Sequence, residues 1–366
     1  MTRKMKSTGA TSKYTYRSAG VDLPKANAVL RRALPLIRKT YHSAVMDGVG
    51  GFAALVSGTC LKDFPNPVLV TATDGVGTKI ELLAKLHRYD VAGWDAVAVS
   101  VNDVVTVGAR PLFFLDYFAA GKLEPEMFAG VLKGASAGCL ESECSLVGGE
   151  NAEMRGFYPD GLFDIAGFSV GVVEASRRLD GPRNVKPGDA LIGLASSGPH
   201  DNGFTLIRRL LKDRNVPLSS KIDNSGKTLG DWLTAPTVIY TRPMLGLLRD
   251  FWSESGHGGA PGNRIHAAAH ISGGGFPENL PRVLPKNLNA LIRTDSWDVP
   301  PVFNYLQSLG GIERREMYST FNQGVGMVLV VERDYAESVR SAAEKWVSNA
   351  WIIGEIVQGR NRVKLV

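Results

Sequence analysis

One stretch of the sequence combines the residue types that bind a metal-bound nucleotide. An apolar, β-branched run at residues 68–70 leads to Asp74, and two glycines, a hydroxyl and Lys79 follow within five positions. Glycines let the backbone approach a ligand closely, a carboxylate binds a hard cation such as Mg²⁺, and a lysine ammonium binds phosphate. The pattern therefore indicates a strand that ends in a metal–nucleotide site. A tight strand-to-helix turn with a capping Asp would give the same pattern.

Two further carboxylates stand at comparable positions. Asp103 lies near the end of an apolar helical pattern at residues 94–105, next to Asn102, and Glu150 follows a strand-like run that ends in two glycines. An Asn-Asp pair on a helix border is usually a surface feature. Mg²⁺ shared with phosphates needs few protein carboxylates, so Asp74, Asp103 and Glu150 are sufficient for one or two ions.

Glycine-rich loops in both halves of the chain are candidates for binding anions. Residues 47–55 form a glycine-rich entry to an apolar segment, and its backbone amides are able to hold phosphate. Residues 196–203 join a predicted strand to a predicted helix and contain hydroxyls, glycines, His200 and Asn202. Free amides at a helix N-terminus favour anions. A single histidine in such a loop either forms a structural hydrogen bond or takes part in binding.

The elements that must position these loops alternate along the chain. Helical periodicity predicts helices at residues 26–40, 94–105 and 128–140, and apolar runs predict strands at 111–118, 144–154, 164–173, 190–194 and 321–331. A charged, turn-rich segment at 177–188 is typical of a domain boundary. We therefore expect a basic, disordered tail at 1–15, a nucleotide-binding and dimerisation domain at 16–178, and a second domain at 179–366, both of α/β class.

Composition excludes several classes of protein. The net charge of +6 comes from residues 1–39, which carry ten basic residues and one acidic residue, so the remaining 327 residues are slightly acidic. We therefore expect no nucleic-acid partner. Three cysteines without paired spacing indicate neither a disulfide framework nor a zinc site, and the absence of long apolar runs predicts a cytoplasmic protein without a membrane partner.

Taken together, the motifs resemble those of the phosphoribosylformylglycinamidine cyclo-ligases, also called aminoimidazole ribonucleotide synthetases. The resemblance extends from about Tyr16 to the C-terminus and rests on many short sequences in the same order. These occur at residues 19–22, 50–52, 73–79, 101–103, 111–117, 148–150, 197–200, 273–276 and 324–327.

The resemblance implies a homodimeric ligase of purine biosynthesis that uses ATP and Mg²⁺. It implies an N-terminal α/β domain whose strands join those of the partner in a barrel-like interface, and a C-terminal α/β sandwich. The implied reaction closes the ring of formylglycinamidine ribonucleotide to give 5-aminoimidazole ribonucleotide, ADP and phosphate. The γ-phosphoryl group activates the formyl oxygen, and an amidine nitrogen then closes the ring.

The family motifs also imply the roles of individual residues. Catalytic roles are expected for Asp74, Lys79 and His200, and metal binding for Asp74, Asp103 and Glu150. The substrate loops contain Ser197, Gly198, His200, Asn202, Gly274 and Gly275. The expected ATP contacts are Gly50, Gly51, Phe52, Asp74, Gly75, Gly77, Thr78, Lys79, Asn102, Asp103, Gly148, Gly149 and Glu150.

Two alternatives remain at this point. Thiamine monophosphate kinase, another ATP phosphotransferase of the same fold, lacks the resemblance at residues 197–200 and 273–276. A nucleotide-binding protein without catalytic activity would have to account for three carboxylates at strand ends or helix borders. The sequence departs from the family pattern at Asn151, where Thr is usual, and at Arg155, where Pro is usual. Both departures concern the geometry of the loop after Glu150.

Overall fold

A computed structural model of the chain describes residues 23–253 and 262–366. The tail at 1–15 and the motif at 19–22 lie outside the described residues, as does most of the glycine-rich segment near residue 257. Within the described ranges, no helix is both long and apolar enough to cross a membrane.

The first half of the chain alternates helices with strands. Its helices are α1 (Leu23–Arg38), α2 (Ile80–Lys85), α3 (Tyr89–Val105) and α4 (Pro125–Glu141). Its strands are β1 (Val45–Asp47), β2 (Leu55–Val56), β3 (Pro67–Gly75), β4 (Arg110–Ala120), β5 (Ser145–Glu153) and β6 (Phe163–Glu174).

Four of these strands form an open sheet in the order β3-β6-β4-β5. The pair β4/β5 is parallel, and β6 runs antiparallel to both of its neighbours. Helices α3 and α4 pack together over one face, because alternate strand residues such as Phe114 and Phe118 point into the same core as Val97 and Val131. This core fixes the sheet on which Asp74 and Glu150 are placed.

The other face of this sheet is apolar but lacks a covering layer in the described part of the chain. Leu69 is 58% exposed and Phe168 is 44% exposed. The register of the strands places Phe113, Leu115 and Val170 on the same face, half-buried. Strand β4 is central and β3 is an edge strand, so the exposed apolar surface lies on a face of the sheet. Within the described ranges, the single chain forms no closed barrel.

The second half of the chain contains the remaining elements. Its helices are α5 (Gly181–Asn184), α6 (Phe204–Asp213), α7 (Leu229–Leu233), α8 (Thr241–Asp250), α9 (Gly275–Asn279), α10 (Pro301–Gly310), α11 (Arg314–Thr320) and α12 (Ala336–Ala343). Its strands are β7 (Ala190–Ala195), β8 (Trp252–Ser253), β9 (Gly262–Asn263), β10 (Ile265–His270), β11 (Leu288–Ile292), β12 (Val325–Val331), β13 (Ala350–Gln358) and β14 (Val363–Leu365).

A six-stranded sheet in the order β10-β12-β7-β13-β11-β14 forms the centre of this half. Apolar clusters cover both faces, one with α8 and α12 and the other with α9, which gives the expected sandwich. Strands β7 and β10 both run antiparallel to β12. The loop that leaves β7, the loop that leaves β10 and the loop that enters β12 therefore meet at one edge, which faces the first domain.

A segment of the second half packs directly on α3. Thr234, Thr237 and Tyr240 belong to this segment, and its backbone accepts a hydrogen bond from Trp94 Nε1 through Thr237 O at 2.7 Å. Arg88 donates to Thr234 Oγ1 at 2.8 Å. These contacts hold the edge of the six-stranded sheet against the helix that carries Asp103.

Candidate active site between the two domains

Asp74 lies at the end of β3, where the first domain meets the second. Its carboxylate is exposed, and Oδ1 accepts a hydrogen bond from Gly75 N at 2.8 Å. Partial desolvation raises the pKa of Asp74, and the negative charges of Asp103 and Asp201 raise it further. An exposed carboxylate repelled by two others is a position where a bound cation would relieve the repulsion.

Asp103 links the first domain to the second through a contact with a histidine. Its Oδ1 lies 2.9 Å from His270 Nδ1, at the end of β10. His270 is buried, whereas the Asp103 side chain is 45% exposed, so its second oxygen remains accessible. The structure therefore brings Asp74 and Asp103 close enough for their charges to interact, and it adds His270, which the prediction did not include.

Lys79 occupies a different environment from the one expected. Its ammonium is fully buried and lies 2.7 Å from Asp95 Oδ2 and 3.5 Å from Asp201 Oδ1. It also donates to Ala235 O at 3.0 Å. With these three partners and no solvent exposure, the ammonium cannot reach a phosphate in this structure. Lys79 instead joins α3 of the first domain to two segments of the second.

This buried cluster contains one cation and two carboxyl groups. Desolvation and the neighbouring charge of Asp201 raise the pKa of Asp95 to about 8, although Lys79 acts in the opposite direction. Thr237 donates through N to Asp95 Oδ1 at 2.8 Å and through Oγ1 to Asp201 Oδ2 at 2.5 Å. A proton on Asp95 leaves the buried cluster without net charge, which lowers the cost of burial.

Asn102 is likewise used inside the protein. Its side chain is fully buried, donates to Val238 O at 2.8 Å and accepts from Tyr240 N at 2.8 Å. Both polar atoms of the amide are therefore occupied by backbone groups of the second domain. The expected nucleotide contact is not available to this side chain, which positions its neighbour Asp103.

Glu150 belongs to a second region of the same sheet. The register aligns Asp74, Gly167, Asp116 and Gly149 in one row across the four strands. Three strand spacings separate Asp74 from Gly149, so the next residue, Glu150, is about 14 Å from Asp74. Within the described ranges, no three His, Cys, Asp or Glu residues are grouped to hold a metal ion. The three predicted carboxylates therefore do not form a single metal site.

Asp116 and Glu150 both line a small cavity that is mostly apolar. Burial, and to a smaller extent the charge of Glu150, raises the pKa of Asp116 to about 7. A Cβ atom at Gly149 would approach Asp116 Oδ1 to 2.1 Å, so glycine is needed for the close packing of these strands. Gly148, Gly149, Glu150 and Asn151 line the cavity together with Val49. The glycine-rich loop at 47–52 and residues 148–151 of β5 are thus neighbours.

The glycine-rich loop at 48–52 presents open backbone. Val49 N donates to Tyr41 Oη at 2.9 Å, which fixes the start of the loop. Gly50 has a φ of 130°, a Cβ atom added there would meet no other atom within 4 Å, and Phe52 is fully exposed. Gly77, in the loop after Asp74, has a φ of 66° and similarly open surroundings, while Thr78 contacts Thr205 of α6 at 3.2 Å. Both loops leave space for a ligand close to the main chain.

His200 is a buried part of the loop at 197–202. Its Nε2 accepts weak hydrogen bonds from Ser197 N at 3.3 Å and Val238 N at 3.4 Å, which assigns the proton to Nδ1. Nδ1 has no hydrogen-bond partner among the described residues. Burial and the positive charges nearby hold the pKa of His200 well below its usual range, so the ring is neutral. In this structure the ring holds the loop in place through these two hydrogen bonds.

The loop at residues 272–275 lies against the loop at residues 197–202. Asn279 Nδ2 donates to the carbonyl oxygens of Ser272, Gly273 and Gly275 and so fixes the loop that contains Gly274. A Cβ atom at Gly273 would lie 3.3 Å from Asn202 Oδ1. On the other side, Asn322 Nδ2 donates to Gly198 O at 2.9 Å. The expected substrate residues Ser197, Gly198, Asn202, Gly274 and Gly275 are therefore brought together.

Four polar residues that shape this region were not predicted from the sequence: Asp95, Asp116, Asp201 and His270. A signal was present for His270, which follows three alanines in an apolar strand and precedes the glycine loop. Asp116 also interrupts an apolar run. No local pattern distinguishes Asp95 or Asp201, because their partner Lys79 is distant in the sequence.

Comparisons with known proteins place this site in a family. The model of the AIR synthase related protein N-terminal domain matches residues 53–173, and that of the C-terminal domain matches residues 186–366. The phosphoribosylformylglycinamidine cyclo-ligase of Carboxydothermus hydrogenoformans is 47% identical over 352 residues, which cover 95% of this chain and 98% of the relative. The chain belongs to the phosphoribosylformylglycinamidine cyclo-ligase family.

Other members of the cyclo-ligase family give the same result. The enzyme of Trichlorobacter lovleyi is 46% identical, with 93% of this chain and 94% of the relative covered. The enzyme of Xanthomonas euvesicatoria is 46% identical, with 96% of this chain and 99% of the relative covered. The chain is thus similar to cyclo-ligases over nearly their full length.

Solved structures share the fold at much lower identity. The thiamine-monophosphate kinase from Stenotrophomonas maltophilia has a TM-score of 0.66 and 18% identity, with 92% of this chain and 95% of that chain covered. The hydrogenase maturation protein HypE in complex with ATP has a TM-score of 0.63 and 14% identity, covering 92% and 90% of the two chains. These likenesses concern the fold alone, so the kinase alternative is not favoured over the cyclo-ligase family.

Proposed function

We propose that this chain closes the imidazole ring of 5-aminoimidazole ribonucleotide from formylglycinamidine ribonucleotide, with conversion of ATP to ADP and phosphate, in purine biosynthesis. The observation that supports this proposal is the Asp103–His270 contact at 2.9 Å. It places the exposed carboxylates of the first domain beside the glycine loops of the second, so that a nucleotide and a second ligand can meet.

The proposed chemistry needs positioning and neutralisation of charge. The γ-phosphoryl group is transferred to the formyl oxygen, which turns a poor leaving group into a phosphate. The amidine nitrogen then attacks the activated carbon, the C–O bond to phosphate breaks, and loss of a proton gives the aromatic ring. Fixed donors and carboxylates act here by orienting both reactants and by balancing the charge on phosphate.

We assign the metal–nucleotide role to Asp74 and Asp103. A Mg²⁺ ion shared with phosphates keeps several waters and needs only one or two carboxylates, which fits a pair without a third nearby ligand. Glu150 is assigned to the other end of the nucleotide site, about 14 Å along the sheet. Phosphate contacts are assigned to the open backbone at Gly50 and Gly77, since the Lys79 ammonium has three internal partners.

We assign the substrate to the paired loops at 197–202 and 273–275. Ser197, Asn202 and Gly274 are half-buried residues of these loops. His200 is assigned a positioning role, because its Nε2 accepts two backbone hydrogen bonds and its ring is neutral. Proton transfer from the amidine nitrogen is then left to another group or to water.

We also propose a cytoplasmic homodimer. The uncovered sheet face around Leu69 and Phe168 is apolar, and a second copy of the chain would cover it across a two-fold axis. Each of the three cysteines is a free thiol, which fits a reducing compartment.

The deciding experiment is incubation of the purified chain with formylglycinamidine ribonucleotide and Mg-ATP. We expect ADP, phosphate and aminoimidazole ribonucleotide in equal amounts. ADP formed without the ring product would contradict the proposal, as would phosphorylation of thiamine monophosphate at a comparable rate.

A further inference from the structure

A basic cavity of about 390 Å³ lies at the far end of β10 from the candidate active site. His266 borders this cavity, while His270 contacts Asp103, and the two histidines are four residue steps apart along the strand, or about 13 Å. The cavity is formed by the segment that connects the two domains, by residues of strands β8 and β9 and by the residue that follows β12. It is therefore separate from the cleft described above.

Positive charge dominates the wall of this cavity. Three of its cations have a counter-charge or an aromatic contact: Arg178 pairs with Asp180, Arg264 pairs with Glu332, and Arg177 lies 5.1 Å over the ring of Trp252. The other two, Arg183 and Lys186, have no carboxylate partner in the described ranges. The arginines, the lysine and the tryptophan that line the cavity are Arg177, Arg178, Arg183, Arg264, Lys186 and Trp252.

The carboxylates around the cavity do not balance its cations. Glu332 is the acidic residue that lines it, and Asp189 lies behind the wall, where Oδ2 is 2.7 Å from His266 Nδ1. Asp189 Oδ2 also accepts a hydrogen bond from Lys186 N at 2.8 Å, which fixes the backbone at that position. The side chains that carry the excess positive charge therefore project from an ordered backbone.

Arg264 is held in place more firmly than a surface arginine. Its side chain is 13% exposed, Nη1 donates to Glu332 at 2.8 Å, and the guanidinium lies 4.8 Å over the ring of Tyr335. The remaining Nε–H is buried without an acceptor among the described residues. A preorganised guanidinium loses little conformational freedom when it binds an anion.

From this combination we infer a second ligand site that binds a phosphorylated small molecule of nucleotide size. Several guanidinium groups around one cavity favour a phosphate dianion, because each supplies paired N–H donors and positive charge. The volume exceeds what a free phosphate fills and lies within the range of small-molecule sites. The Trp252 ring supplies an apolar contact for a base or ribose. The cavity binds the phosphate through Arg183 and Lys186 and the remainder of the ligand beside Trp252.

Calorimetry with AMP as the probe tests this inference on the full chain. The titrations are run without Mg²⁺, so that metal-dependent nucleotide binding beside Asp74 and Asp103 does not contribute. We expect AMP to bind the unmodified chain, and the changes Arg183→Gln and Lys186→Gln to weaken AMP at least tenfold. Both residues are exposed, so folding and basal ring closure in the wild-type background should be retained.

Matched controls separate a specific site from general charge attraction. Changing Lys133 and Lys364 to Gln removes the same number of exposed positive charges elsewhere and should leave AMP affinity unchanged. Inorganic phosphate should bind at least tenfold more weakly than AMP. The inference is overturned if AMP binds the Arg183→Gln/Lys186→Gln variant as tightly as its parent, if the control changes have the same effect, or if phosphate and AMP bind equally.

Discussion

His270 Nδ1 and Asp103 Oδ1 lie 2.9 Å apart, and their contact joins the end of β10 to α3. One partner is buried in the second domain and the other is half-exposed on the first. A bond of this kind sets the distance between an exposed carboxylate and the glycine loop that follows β10. We expect the two residues to act as a unit in the reaction.

A double-mutant cycle tests this coupling. His270→Ala and Asp103→Asn should each lower kcat/KM, and the double variant should lose less than the sum, with a coupling energy of about 0.5 to 3 kcal/mol. His266→Ala is the matched control, because His266 lies on the same strand but pairs with Asp189. Its effect should add to that of Asp103→Asn. Strict additivity in the His270 cycle would contradict the proposed unit.

A cation bound at the candidate site would depend most directly on the charge of Asp74. Asp74→Asn keeps the shape but removes the charge, so Mg-ATP binding should weaken and turnover should fall by roughly 10², or about 2.7 kcal/mol. Calorimetry with Mg-ATP and steady-state kinetics provide the measurement. Asp63→Asn, an exposed change before β3, is the control. Unaltered dependence on Mg²⁺ in the Asp74 variant would remove this residue from the site.

Lys79 should matter for folding more than for nucleotide binding. In Lys79→Met the carboxylate of Asp201 loses its buried counter-charge, and breaking such a pair costs about 3 kcal/mol of unfolding free energy. Adding Asp201→Asn to the same chain should restore part of the loss. Urea unfolding measures both. A Lys79→Met protein with normal stability and weak ATP binding would instead support a direct contact with phosphate.

The raised pKa of Asp95 predicts how stability changes with pH. The folded protein holds a proton on Asp95 up to about pH 8, whereas the unfolded chain releases it near the ordinary aspartate pKa of 3.8. The stabilisation from this proton is complete below the unfolded pKa and is lost as pH rises towards 8. Relative to Asp95→Asn, the wild type should therefore lose about 1.4 kcal/mol per pH unit between pH 5 and 7.

Parallel urea titrations of the two proteins between pH 5 and 9 measure this difference. The difference should level off above about pH 9, where the carboxyl group is ionised in both states. A difference that stays constant from pH 5 to 7 would show that Asp95 is ionised throughout this range.

The apolar sheet face predicts the oligomeric state. Leu69→Asp places a charge on this face and should convert the proposed dimer to a monomer, because a buried unpaired charge disfavours association. Leu140→Asp is the control, since Leu140 is 45% exposed on α4, away from the sheet face. Light scattering at low micromolar concentration distinguishes the two states. A wild-type monomer with full activity would contradict the dimer.

The sequence was informative where one local pattern decides the structure. The apolar run at 111–118 predicted β4 to within two residues, and the periodicity at 94–105 predicted the last three turns of α3. The helix begins earlier, at Tyr89, because Tyr89 and Ala92 of its first turn also pack against the core and Arg88 is held by Thr234 of the second domain. Local periodicity carries no information about such contacts.

The functions of polar residues were harder to predict, because they depend on partners that are distant in the sequence. Lys79 follows Asp74 in a pattern typical of phosphate binding, yet its partners include Asp201 and Ala235. Asn102 and Asp103 are adjacent, and one is fully buried while the other faces the cleft. Polar side chains serve binding or packing according to which segment of the second domain lies opposite.

The packing of residues 234–240 on α3 has a consequence for how the protein folds. A fragment that ended near the predicted boundary at residue 178 would leave Trp94, Asp95 and Asn102 without the backbone groups that satisfy them. The first domain therefore completes its own interior only after a segment more than fifty residues beyond its sheet has been synthesised. We expect the two sheets to melt in a single calorimetric transition, as one cooperative unit despite their separate cores.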